Sequence, residues 1–233
     1  MSNSTTRSVD VVFCIDGTGS MIPCINKVKD NAKRLYADIV SKLSDEGTSV
    51  ESLRIKVITF RDYKDDGDKA MVISPFFEMD ADQTDFEDFL NEKVIATGGG
   101  DLPENGLEAL YFAMMSDWVE GPKDRQVIVF FTDADALPLH ARADVSTYPK
   151  AEVPADIKGL SEIWACINNQ ATGCKLGDRQ KRLILFAPNG TVYSTLNEAL
   201  DRTTFEPVDM AKGLGDIDFT TIVQAIVASV SAK

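Results

Sequence analysis

Short apolar runs rich in β-branched residues recur along this chain, and each of them ends abruptly in polar or acidic residues. The clearest runs are VDVVFCI (9–15), LRIKVITF (53–60), QVIVFFT (126–132) and RLILFA (182–187). Continuous apolar runs of this length are typical of parallel strands that are buried on both faces. This feature constrains the fold most, because a buried parallel sheet needs helices on both of its faces.

The segments between these runs have the apolar spacing of amphipathic helices. The longest begins after Ser20, which we place as its N-cap, and it tolerates Pro23 in its first turn. Shorter helices are predicted over 85–91, from Pro103 onward, over 157–168 and over 217–230. The apolar positions of the first helix repeat every three or four residues: Ile22, Ile25, Val28, Ala32, Leu35, Ile39 and Leu43.

Two further strands complete the predicted sheet. Residues 70–77 predict an antiparallel edge strand, since Pro75 fits an edge better than a centre, and residues 203–208 predict a short last strand. The fold class we expect is α/β: a doubly wound, Rossmann-like, mostly parallel six-stranded sheet with one antiparallel edge strand. A flexible N-terminus over 1–8 should precede a single domain over 9–233, with a Pro-containing excursion at about 137–155.

Length and charge exclude several classes of function. The 233 residues, 44% of them hydrophobic, suit one domain with a large core. The formal charge of -13 argues against binding nucleic acid or an anionic membrane, which both need a positive surface. The polar start, MSNSTTRSVD, is too short for a signal peptide or a membrane span, so we expect a cytoplasmic protein. Nothing in the sequence indicates the oligomeric state.

Three turns carry acidic residues beside hydroxyls or glycines. They are Asp16-Gly17-Thr18-Gly19-Ser20, Thr97-Gly98-Gly99-Gly100-Asp101 and Thr132-Asp133-Ala134-Asp135. The carboxyl ends of parallel strands share one edge of a doubly wound sheet, so Asp16 and Asp133 should face one crevice. Carboxylates and hydroxyls that converge in a polar crevice suit a hard divalent cation such as Mg²⁺. Residue types alone do not separate Mg²⁺ from Mn²⁺ or Ca²⁺.

These turns resemble the metal loops of von Willebrand factor A domains. Asp16-Gly17-Thr18-Gly19-Ser20-Met21 looks like the D-x-[ST]-x-S turn of that family, TGGGDLPE (97–104) is similar to the second loop of one branch, and Phe131-Thr132-Asp133 resembles the third. The resemblance covers almost the whole chain. Its appearance is nearest to prokaryotic cytoplasmic members, including those of stress or conflict gene clusters.

The resemblance implies a metal-ion-dependent adhesion site. Its ligands here would be Asp16, Thr18, Ser20, Asp101 and Asp133, with Thr97, Asp135 and Asp62 as possible outer or rim residues. In that family an acidic residue of a protein partner often completes the ion's shell. Asp101 stands where integrin-type members have Thr and adds negative charge, so the ion could serve structure more than adhesion.

The main alternative to a binding module is an enzyme. The turn after the first strand is also similar to those of actin-like ATPases and haloacid-dehalogenase-type phosphotransferases, with Asp16 as the reacting group. A phosphotransferase of that type would have Asp at residue 18, which is Thr. His140 is the only histidine and lies far from the acidic turns, which argues against a Ser-His or Cys-His nucleophile and against structural zinc. We therefore predict a protein that is not an enzyme.

Overall fold

A computed structural model of the protein describes residues 5–97, 103–167, 169–209 and 213–232. Within these ranges one sheet contains seven strands in the order β3-β2-β1-β5-β6-β7, with β4 also paired to β2. The strands are β1 (Thr5–Asp16), β2 (Thr48–Phe60), β3 (Met71–Ile73), β4 (Phe77–Glu78), β5 (Arg125–Phe131), β6 (Lys181–Pro188) and β7 (Thr203–Val208).

The sheet is doubly wound, as the sequence predicts. All neighbouring strands are parallel except β3 and β4, which both run antiparallel to β2. The chain leaves β1 toward β2 on one side and returns to β5 on the other. The strand order therefore reverses between β1 and β5, and this is where a doubly wound sheet opens a crevice at the carboxyl ends of its strands.

The predicted antiparallel edge is confirmed, but the segment over 70–77 forms two short strands, so the described sheet has seven strands where six were predicted. Pro75 has no N–H to donate to a ladder and lies between β3 and β4. The backbone of Ser74 still donates to Val57, and the Ser74 hydroxyl accepts from the Val57 N–H, both at 2.9 Å. Both backbone polar groups of Val57 in β2 therefore keep a hydrogen-bond partner at the interruption.

Helices cover both faces of the sheet and create two hydrophobic cores. One core lies under α1 (Ile22–Asp45), α3 (Gln83–Lys93) and α8 (Phe219–Ser231). The other lies under α4 (Gly106–Met114), α5 (Ile157–Trp164) and α7 (Val192–Ala199). Two single-turn helices, α2 (Tyr63–Asp66) and α6 (Asn169–Thr172), lie in connections. Among the described helices, none is both long and apolar enough to cross a bilayer.

Several strands and helices begin or end at residues other than those predicted. β1 begins at Thr5, and Thr5, Thr6 and Arg7 pair with β2, so residues 5–8 belong to the sheet and are not a flexible leader. A 3-10 turn over Gly19–Met21 precedes α1, whose N-cap is Met21 and not Ser20. The helix predicted over 157–168 ends at Trp164, where Cys166 follows with a φ of 58°.

The excursion at 137–155 contains no helix or strand, and it folds back onto the top of the sheet. Arg142 forms an ion pair with Asp62, whose side chain is almost fully buried. The Tyr148 hydroxyl donates to Glu108 at 2.6 Å and accepts from the N–H of His140 at 2.8 Å. These contacts hold the excursion against α2 and α4, beside the carboxyl ends of the strands.

Candidate metal site

The first acidic turn lies at the centre of the sheet, where β1 ends at Asp16. The Asp16 side chain is fully buried, and hydrogen bonds hold both of its carboxylate oxygens. Oδ1 accepts from the Thr18 N–H at 2.9 Å and from the Thr18 hydroxyl at 2.7 Å. Oδ2 accepts from the hydroxyl of Thr132, which follows β5, at 2.9 Å. Asp16 is therefore fixed by both strands that border the crevice.

A chain of short oxygen contacts continues from Asp16 to the third acidic turn. The hydroxyls of Thr18 and Ser20 are 3.2 Å apart, and the Ser20 hydroxyl donates to Asp133 Oδ1 at 3.1 Å. Four of the five predicted ligands thus come together in what we call the four-oxygen cluster: Asp16 Oδ1, Thr18 Oγ1, Ser20 Oγ and Asp133 Oδ1. The fifth, Asp101, lies outside the described residues.

The spacing and chemistry of the four-oxygen cluster fit a hard divalent cation. Six oxygens placed octahedrally at the Mg²⁺ distance have neighbours about 3 Å apart. The contacts in the cluster are 2.7, 3.2 and 3.1 Å. Within the described part of the chain, no three Asp, Glu, His or Cys side chains are placed to hold a metal together. An ion here would therefore depend on the hydroxyls of Thr18 and Ser20 as well as on two carboxylates.

Burial makes the Asp16 carboxylate costly to ionise without a cation. Its pKa is raised to about 6, chiefly by desolvation and also by the nearby charge of Asp133, although the hydrogen bonds from Thr18 and Thr132 lower it. Because metal ligands must be deprotonated, metal binding at this site competes with a proton near neutral pH.

A buried arginine, for which the sequence analysis gave no role, ties the first two turns together. Arg61 follows β2 and is only 5% exposed. Its Nε donates to the carbonyl of Gly17 at 2.8 Å, and its Nη2 donates to the carbonyl of Ile95. The N–H of Thr97 also donates to the Gly17 carbonyl, at 3.1 Å. A Cβ at position 17 would lie 2.9 Å from Arg61 Nε, so glycine is what allows this approach.

Comparison with known proteins shows the family of the chain. The model of the von Willebrand factor A domain family matches residues 10–152, more than half of the chain. The chain belongs to this family. The matched region contains all five predicted ligands of this von Willebrand factor A domain. No curated protein matches the chain by sequence.

Solved structures with the same fold include two bacterial proteins. The open form of the pilus adhesin SpaC from Lactobacillus rhamnosus GG is 9% identical with a TM-score of 0.51, over 96% of this chain and 30% of that one. A von Willebrand factor type A protein from Catenulispora acidiphila is 14% identical with a TM-score of 0.50, over 97% and 43%. This chain therefore spans less than half the length of either, and the likeness concerns the fold alone.

Two of the predicted outer residues of this von Willebrand factor A domain have other partners. Asp135 Oδ1 accepts from the N–H of Val192 at 3.0 Å and so caps the start of α7. The Asp62 carboxylate accepts from the N–H of Lys64 at 2.8 Å, which caps α2, and it also pairs with Arg142. Both aspartates therefore position the loops around the crevice.

Glu104 is the acidic residue of the site that sequence reasoning missed. It is 2% exposed, and its Oε2 has no hydrogen-bond partner among the residues described. Its backbone bridges the second and third turns, because its N–H donates to Asp135 and its carbonyl accepts from Leu137. Its pKa is raised to about 8, chiefly by burial and then by the charges of Asp16, Asp62, Asp66 and Asp65, in that order. The signal was the last residue of TGGGDLPE, an acidic residue just before an apolar helix.

Proposed function

We propose that this domain binds one divalent cation, with Mg²⁺ as the first choice and Mn²⁺ or Ca²⁺ as alternatives, and uses it to bind a protein partner. The protein ligands would be Asp16, Thr18, Ser20, Asp101 and Asp133. The observation that carries the proposal is the four-oxygen cluster at the switch in strand order, with contacts of 2.7–3.2 Å. A bound cation would supply a positive charge that attracts an acidic residue of the partner.

Because the protein is negatively charged, an acidic residue of a partner needs a bound cation in order to bind at the crevice. The chain carries a formal charge of -13, and Asp16, Asp133 and Glu104 lie buried at the crevice. Without a cation these carboxylates repel another carboxylate. Ser20 is the exposed member of the cluster, which leaves the site accessible from solvent. We therefore expect partner binding to depend on the metal.

Apolar surface beside the turns supports a protein partner. Ile22 and Ile95 are 46% and 49% exposed, and they flank the first and second turns. An apolar groove of about 450 Å³ lies beside the third turn, between Ala136, Leu139 and Val192. Exposed apolar surface close to a polar site is typical of interaction surfaces. We propose that the excursion at 137–155 shapes this surface.

A test uses random-peptide phage display against the purified domain in Mg²⁺ or in EDTA. We expect the Mg²⁺ selection to enrich peptides that contain Asp or Glu, and their binding to disappear in EDTA and in Asp16→Asn. Asp30→Asn, an exposed aspartate on α1, is the matched control and should bind as the wild type does. Peptides that bind equally well in EDTA would remove the proposed role of the metal. Deletion of 137–155 without any change in peptide affinity would remove the role of the excursion.

The geometry favours binding over the phosphotransferase or ATPase alternative. A phosphotransferase of the type considered would have a second carboxylate at residue 18, where the Thr18 hydroxyl instead donates to Asp16 at 2.7 Å. Nucleotide hydrolysis that is lost in Asp16→Asn would reinstate the enzyme. A cytoplasmic location and a role in a bacterial stress or conflict response stay predictions, which cell fractionation and the neighbouring genes test.

A further inference from the structure

The buried carboxylate of Glu104, at the crevice, has an oxygen with no hydrogen-bond donor or cation beside it among the described residues. Other buried carboxylates have donors: Asp10 accepts two hydrogen bonds from Arg54 at 2.8 and 2.6 Å, and Asp16 accepts from two threonines. The Oε2 of buried Glu108 is also unpartnered within the described ranges, but its Oε1 accepts from Tyr148. Glu104 is equally buried, yet its Oε2 has no partner within the described ranges. A buried carboxylate without a donor or a cation is costly and calls for a specific reason.

The surroundings of Glu104 increase this cost. The charged groups that act on it most strongly are acidic, and Asp16 comes first among them. Arg61, the buried cation nearby, already donates to the carbonyls of Gly17 and Ile95 and lies 3.7 Å from Asp66. A cation supplied from solution would relieve the repulsion between Glu104 and Asp16.

The backbone fixes Glu104 between the two turns that border the crevice. Residues 104 and 136 form a parallel bridge, so the start of α4 cannot move away from the third turn. Glu104, Asp16 and Asp133 do not form a group that holds a metal directly, so direct coordination by Glu104 does not fit. Mg²⁺ keeps several of its waters in protein sites, and those waters need acceptors.

We propose that Glu104 is a positioning residue of the metal site, whose Oε2 accepts a hydrogen bond from a water bound to the ion. This inference rests on the metal-binding half of the proposed function. Outer partners of this kind typically change metal affinity by about 10–100-fold. Glu104 also adds negative charge beside the ion, and so reduces the attraction left for a partner's carboxylate.

The test is calorimetric titration of Mg²⁺ into the wild type, Glu104→Gln and Glu92→Gln, with unfolding by urea measured in EDTA. Gln has the shape of Glu, so packing is kept, and Glu92 is an exposed residue of α3 that serves as the control. We expect Glu104→Gln to weaken Mg²⁺ binding by about 10-fold or more and to raise the urea midpoint of the metal-free protein. Glu92→Gln should do neither.

The outcomes separate this inference from the proposed function. If the wild type binds no Mg²⁺, the proposed function fails and this inference fails with it. If the wild type binds Mg²⁺ and Glu104→Gln binds it equally well, only the role of Glu104 is overturned. A change in the urea midpoint without a change in affinity would make Glu104 a structural residue only.

Discussion

Replacement of Arg61 by Met tests how the first two turns of the site are held. Met keeps most of the apolar length of the side chain but removes the two hydrogen bonds from the guanidinium to the carbonyls of Gly17 and Ile95. Hydrogen bonds that involve a charged group contribute about 1.5–3 kcal/mol each. The Gly17 carbonyl keeps the N–H of Thr97, and Met carries no buried charge, so part of this loss is offset.

We therefore expect Arg61→Met to lower the free energy of unfolding by about 2–4 kcal/mol. In a domain of this size that corresponds to a fall in Tm of roughly 5–15 °C. The assay is urea unfolding followed by circular dichroism in EDTA, so that metal binding does not contribute. Arg34→Met is the control, because Arg34 is exposed on α1, where it pairs with Asp38 and lies over the ring of Phe219. A loss below about 1 kcal/mol, or one no larger than that of Arg34→Met, would refute the role of Arg61.

Three other perturbations have defined outcomes. The pKa of Glu104 is raised from 4.5 to about 8 in the folded protein. Its contribution to stability is therefore complete below about pH 4.5 and is lost as the pH rises toward 8. Urea midpoints of the metal-free protein should fall over this pH range, and Glu104→Gln should flatten the fall. Tyr193 is fully buried and its hydroxyl has no partner among the described residues, so Tyr193→Phe should raise stability by about 1 kcal/mol; a lower Tm would mean that the hydroxyl is bonded. Arg142→Ala leaves the buried Asp62 carboxylate without its cation, and the Arg142 side chain is itself 22% exposed, so the substitution should cost about 3 kcal/mol. It should also speed proteolysis within 137–155, and unchanged cleavage there would contradict this role.

The fold could be predicted from the sequence because its main signals are local. Apolar runs such as 126–132 need no partner to be recognised as buried strands, and β5 is buried along its whole length. Asp16 and Asp133 could be placed at one edge because both follow such runs. The split of the edge strand was harder to predict, because it depends on how Ser74 pairs with Val57 across the sheet.

The roles that could not be predicted from the sequence depend on contacts between distant segments. Ser20 has the residue type of an N-cap, but its hydroxyl bonds to Asp133, 113 residues away, and the helix begins later. Arg61 resembles a surface residue in the sequence, and only the approach of Gly17 and Ile95 makes it a buried link. The sequence signal of Glu104, an acidic residue just before an apolar helix, was weak, because its burial follows from the pairing of residues 104 and 136.

Calorimetric titration of Mg²⁺ into the wild type beside Ser20→Ala and Asp133→Asn tests the metal site most directly. The contact between these two side chains, at 3.1 Å, links the first acidic turn to the third and closes the four-oxygen cluster. We expect the wild type to bind a single ion and both variants to bind it at least about 10-fold more weakly, which corresponds to about 1.4 kcal/mol. No heat of binding in the wild type, or equal affinity in all three proteins, would contradict the metal site.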